Sequence, residues 1–151
     1  MQFVCKPSTL VGSVSIPGSK SHTIRAVAIA SLAAGESRIH DPLVSDDALS
    51  AARAFEALGS TIRQQAGCWT VEGCGGKPTA RQATIDVGNS GTTLRILMGT
   101  ATLMPTDGTV TLTGDGQIRR RPAQPLIEAL NSLGASVQSR LANGCAPIQV
   151  T

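Results

Sequence analysis

Aromatic residues are nearly missing from this 151-residue chain: Phe3, Phe55 and Trp69 are the whole set, and there is no tyrosine. That disfavours nucleic-acid modules that stack bases on aromatic rings. It also means that the core has to be assembled from Ala, Val, Ile and Leu. Histidine is scarce as well, and His22 and His40 do not cluster with Cys5, Cys68, Cys74 or Cys145. The cysteines form no CxxC pair, so their spacing argues against a zinc site. The N-terminus lacks the apolar run of a signal peptide, and no stretch approaches a membrane span. A soluble, reduced, cytoplasmic protein without disulfides is expected. Net charge is only +3, which suits small anionic ligands and does not demand a nucleic acid.

Hydrophobic residues make up 41% of the chain, enough for the packed core of one domain or of two small subdomains. The sequence repeats itself. Gly18-Ser-Lys-Ser-His-Thr-Ile-Arg25 matches Gly88-Asn-Ser-Gly-Thr-Thr-Leu-Arg95, and Ala57-Leu-Gly-Ser-Thr-Ile62 matches Ser132-Leu-Gly-Ala-Ser-Val137. Two matches in the same order, at nearly equal offsets, indicate a duplicated unit. Pattern reading gives each copy the order βαβαββ. The first unit, 11–73, has a strand at 11–16, a helix at 20–34, a strand at 36–40, a helix at 46–58 and a hairpin of 60–65 with 68–73. Ser45 is its expected helix cap, with Asp46 and Asp47 in the first turn, and Gly59 ends that helix. Residues 74–82 read as a linker. The second unit, 83–151, has a strand at 83–87, a helix at 91–104, a strand at 108–113, a helix at 123–133 with Pro122 near its start, and strands at 135–139 and 147–150. The first helix of each unit is apolar nearly all round, whereas the second offers a wet face through Arg53 and Glu56 or Glu128 and Asn131. The expected fold is therefore α/β (α+β): two βαβαββ repeats with buried helices and outer sheets.

Each unit places a Gly- and Ser-rich turn at the head of its first helix, where free N–H groups and the helix dipole favour an anion. Lys20 adds a charge and Ser21 a hydroxyl, and Arg25 shares a helix face with Ser21, so that the two can hold one phosphate together. An ordinary capped turn is the plainer alternative for Gly18 and Ser19. Arg25 precedes a buried apolar run, which implies an anionic partner. Arg95, by the same logic, is open between a structural and a ligand role. The turn Gly88-Asn89-Ser90-Gly91-Thr92 repeats the device, with Gly91 leaving room for close approach. Arg119, Arg120 and Arg121 form either a solvated charge run or a loop that aims one arginine into the same cleft. The pattern is neither a P-loop nor a dinucleotide fingerprint.

Pro17-Gly-Ser-Lys-Ser-His-Thr-Ile-Arg-Ala26, Gly88-Asn-Ser-Gly-Thr-Thr-Leu-Arg95, Gly114-Asp115 through Arg121-Pro122 and Ser45-Asp46-Asp47 together resemble the N-terminal signatures of the 3-phosphoshikimate 1-carboxyvinyltransferase (EPSP synthase) family. The resemblance covers essentially this whole chain and only the first part of such an enzyme. It implies transfer of the enolpyruvyl group of phosphoenolpyruvate to the 5-hydroxyl of shikimate 3-phosphate, with no metal or organic cofactor and no nucleic-acid or membrane partner. By motif, Lys20 contacts both substrates and is the catalytic candidate. Ser21 and Arg25 bind shikimate 3-phosphate, and Asn89, Gly91, Thr92 and Arg121 bind phosphoenolpyruvate. Glyphosate would occupy the phosphoenolpyruvate site, with Gly91 suggesting a sensitive type. The N-terminal strand in 1–10 would pair with the missing C-terminal part, and the chain alone would be inactive. A UDP-amino-sugar enolpyruvyl transferase fragment and a non-catalytic anion- or RNA-binding module are the alternatives.

Overall fold

A computed structural model describes residues 2–9 and 11–151. The elements follow in chain order as α1 (Lys20–Leu32), β1 (Ala34–His40), α2 (Asp46–Ala57), β2 (Thr61–Gln65), β3 (Cys68–Cys74), β4 (Thr84–Asp86), α3 (Gly91–Ala101), β5 (Val110–Thr113), a 3-10 turn (Ile118–Arg120), α4 (Gln124–Ser132), β6 (Val137–Ser139) and β7 (Ile148–Val150). Serine caps three of the four α-helices among the described residues. The Ser19, Ser45 and Ser90 side chains accept hydrogen bonds from the backbone N–H of His22, Ala48 and Thr93, each satisfying a donor that the helix cannot. Gly59, at φ +110°, turns the chain out of α2, as the sequence suggests. The fourth helix starts one residue later than expected, and the proline in its first turn is Pro125.

Two sheets sandwich the helices. The first has the order β1-β3-β2, all antiparallel, and the second β4-β5-β7-β6, with β4 parallel to β5. Helices α1, α2 and α3 pack on one another between them. One hydrophobic cluster joins the two units, from Val27, Phe55 and Trp69 through Leu94 and Met98 to Ile148. Alanines at 48, 51, 52, 54 and 57 line the inner faces of α2. Small side chains let helices approach closely, which is how a core with so few rings fills its volume. No helix among the described residues is long and apolar enough to cross a membrane.

Three features differ from the sequence reading. Residues 11–16 form no strand, and Val14 and Ile16 are each 80% exposed. The matching strand β4 pairs with β5, packs on α2 and buries Ile85, with Val87 just beyond it buried as well. No helix among the described residues covers 11–16 in that way, so burial supplies nothing to offset the entropy of ordering it. Residues 2–9 likewise carry no secondary structure. Second, α2 is buried on seven of its twelve residues, although it reads as amphipathic, while α1 leaves Ile29 72% exposed. A helix wedged between two others is buried on more of its circumference than its moment suggests. Third, the expected linker is tied down. Thr79 and Arg81 donate backbone hydrogen bonds to Leu58 and Ala57, and the Arg81 guanidinium donates to the carbonyls of Gly59 and Ser60, satisfying acceptors at the end of α2.

Candidate functional site

First-turn residues of three helices meet at one cleft of about 360 Å³. Lys20 comes from α1, Asp47 from α2, and Gly91 with Thr92 from α3, while Asn89 lies in the turn before α3. Arg95, one turn into α3, and Arg121, just after the 3-10 turn, complete the lining. Three helix N-termini and three cationic side chains face one space, an arrangement that attracts multiply charged anions.

The second turn is braced by its neighbours. Gly88, at φ +59°, donates its N–H to Asp86 Oδ1 at 2.7 Å, and its carbonyl accepts from the Asp115 N–H at 2.9 Å. Asp115 Oδ1 in turn accepts from the N–H groups of Gln117 and Ile118, both at 2.9 Å, which sets the 3-10 turn. Ile118 is fully buried beneath it. Arg95 donates to the Gly91 carbonyl and to the Pro122 carbonyl, each at 3.1 Å. It therefore ties the first turn of α3 to the residue that follows Arg121. Arg119 folds back onto the Gly114 carbonyl at 2.9 Å, and Arg120 points to solvent. Of the three consecutive arginines, only Arg121 lines the cleft.

Lys20, Asn89, Gly91, Thr92 and Arg121 are thus brought together as the motifs suggest. Ser21 and Arg25 are not among the lining residues. Arg25 is exposed and donates to the Ser21 carbonyl at 3.1 Å, so the argument that burial demands an anion for it does not hold. Its bond is the counterpart, 70 positions earlier, of that from Arg95 to Gly91. Sequence patterns alone leave Arg95 open and do not single out Asp47 for the site. Arg95 has a bracing role at the edge of the cleft. Asp47 lies 2.9 Å from Lys20 through its Oδ2. A lysine as the first residue of a helix opposes the dipole, and that mismatch was the available signal for a nearby acid.

Gly91 is the tightest point. A β-carbon there would lie 3.0 Å from Arg121 Nη1 and 3.2 Å from Arg95 Nη1. Gly91→Ala is therefore expected to push both guanidinium heads aside. Helix stability should change by less than about 1 kcal/mol, since alanine is a good helix former, while binding of a phosphate-bearing ligand weakens by roughly tenfold. Calorimetric titration beside a thermal melt checks this, and unchanged affinity would show that the arginine heads need no such clearance.

An α/β module with a cleft lined by helix N-termini and cationic side chains is what the fold and site define. Residues 4–151 match the family EPSP synthase (3-phosphoshikimate 1-carboxyvinyltransferase), and the chain belongs to that family. It is 52% identical over 150 residues to the 3-phosphoshikimate 1-carboxyvinyltransferase of Acetivibrio thermocellus, covering 99% of this chain and 35% of the relative. The protein of the same name from Halobacterium salinarum is 44% identical, at 99% and 34% coverage. Among solved structures, EPSP synthase from Acinetobacter baumannii superposes with a TM-score of 0.84 at 29% identity, over 93% of this chain and 32% of that one. The chain spans about a third of the length of the curated relatives that it matches.

Proposed function

We propose that this chain forms one wall of an enolpyruvyl-transferase active site, in a cytoplasmic enzyme that moves the enolpyruvyl group of phosphoenolpyruvate to the 5-hydroxyl of shikimate 3-phosphate. The observation that carries the reading is the meeting of Lys20 and Arg121 with the N-terminus of α3 in one cleft. Phosphoenolpyruvate carries a phosphate and a carboxylate on adjacent groups. The α3 N-terminus and Asn89 suit one anionic group, and Arg121 with Lys20 suits the other. In the reaction, the acceptor hydroxyl gives up its proton to a base as its oxygen bonds to C2 of phosphoenolpyruvate, while C3 gains a proton from an acid. The C2–phosphate oxygen bond then breaks and C3 loses a proton, giving 5-enolpyruvylshikimate 3-phosphate and phosphate. Lys20 and Arg121 stabilise the charge that gathers on the departing phosphate. Ser21, next to Lys20, and Arg25, one turn along α1, take the 3-phosphate of the acceptor.

The remaining wall, with the proton-transfer groups, belongs to the part of the family's length that this chain does not span, and residues 2–9 pair there. The chain alone is then a binder without turnover. Shikimate 3-phosphate titrated into it should bind, and Arg25→Ala should weaken that binding by roughly tenfold or more, with phosphoenolpyruvate affinity nearly unchanged. Heat of binding for each ligand measures both effects. A UDP-amino sugar binding in place of shikimate 3-phosphate would assign the chain to the sister acceptor.

A further inference from the structure

The proposed chemistry uses Lys20 and Arg121, Arg95 braces the α3 turn, and the one lining carboxylate, Asp47, is left without a task. An acid in a site built for anions costs affinity, so its position needs a reason. Asp47 is firmly placed. It sits in the first turn of α2, behind the Ser45 cap, where the helix dipole favours a carboxylate, and its side chain is only 23% exposed. Lys20 is the mobile partner. Its side chain is 51% exposed, and as the first residue of α1 it is repelled by its own helix end. Arg95 and Arg121 line the same space and repel it further. Without a counter-charge the ammonium would favour solvent. The 2.9 Å contact to Asp47 holds it at the cleft and occupies one of its three N–H donors, leaving two for a ligand.

We propose that Asp47 is a positioning residue that competes with the bound anion for Lys20. It aims the ammonium while the cleft is empty, and it takes Lys20 back as phosphate leaves, so that release is not throttled by excess positive charge. The inference rests on the reading of this cleft as the phosphoenolpyruvate site.

The distinguishing feature is the sign of the effect. Asp47→Asn keeps the shape, a hydrogen-bond acceptor and the helix start, and removes only the charge. Inorganic phosphate and phosphoenolpyruvate should then bind this chain about three- to tenfold more tightly at low salt. The gain should shrink as ionic strength rises. Asp47→Glu, which retains the charge, should stay close to the unchanged chain. A merely structural aspartate would give weaker binding on substitution. Isothermal titration of the three proteins with each ligand decides the matter. If the unchanged chain binds phosphate and Asp47→Asn binds it equally or more weakly, the competition is refuted and the site reading survives. If neither protein binds phosphate or phosphoenolpyruvate, the cleft is no anion site and both readings fall together.

Discussion

Lys20→Met should cost this chain at least about a hundredfold in affinity for phosphoenolpyruvate while leaving its melting temperature almost where it was. Methionine keeps the unbranched stem and loses the ammonium. A hydrogen bond to a charged group contributes about 1.5–3 kcal/mol, which alone is a ten- to hundredfold loss. A second effect adds to it. With Lys20 gone, Asp47 stays in the cleft with no counter-ion 2.9 Å away, and it repels the ligand that Lys20 attracted. Stability should fall by less than about 1 kcal/mol, because a half-exposed ion pair contributes little. The loss should also extend to shikimate 3-phosphate, which distinguishes Lys20 from Arg25. Titration of both ligands with a thermal melt alongside tests all three points. A variant that melts early would mean that the turn is structural first, and a variant that still binds would remove Lys20 from the site.

Local chemistry made much of this arrangement legible in the sequence. The helix caps, the glycine exits and the duplicated arginine each depend on residues within four positions of one another. The matched segments also correspond in one hydrogen bond. Arg25 reaches the Ser21 carbonyl and Arg95 the Gly91 carbonyl, both at 3.1 Å. The buried positions of α1 and α3 also repeat at that offset, Ile24 with Leu94 and Val27 with Leu97. What could not be read depends on partners far along the chain. Residues 11–16 alternate like a strand, yet no helix among the described residues covers them, and alternation alone does not create an interface. The burial of α2 follows from its place between α1 and α3, which its own pattern does not encode. Asp47 reads as a helix-start acid, and it is one. Only the fold shows that α1 delivers Lys20 to it. Among Arg119, Arg120 and Arg121, the choice of the one that faces the cleft was set by Asp115, whose carboxylate winds the loop into a 3-10 turn.

That loop is also where fold and site are most tightly coupled, and Gly114→Ala should expose the coupling. A β-carbon at position 114 would meet the Gly88 carbonyl oxygen at 2.5 Å and the Ile118 side chain at 2.8 Å. Neither obstacle can move cheaply. The carbonyl is backbone and accepts the Asp115 N–H, and Ile118 is fully buried. The expected cost is roughly 3 kcal/mol from overpacking, a fall of about 6–12 °C in melting temperature for a chain of this size. Relief has to come from moving the Gly114 loop away from the Gly88 turn. Arg121 would retreat from the cleft with the loop, and Arg95 would lose its hold on the Pro122 carbonyl. Phosphoenolpyruvate affinity should therefore fall at temperatures well below the melt, where the protein is still folded. Gly116, two residues on, makes a clean contrast, because a β-carbon there would meet only the end of the Arg120 side chain at 3.7 Å. Gly116→Ala should leave both stability and binding nearly unchanged. If Gly114→Ala lowered the melting temperature and left affinity intact, the loop would be a structural strut alone, and Arg121 would owe its position to Arg95 and Pro122 without help from Gly88.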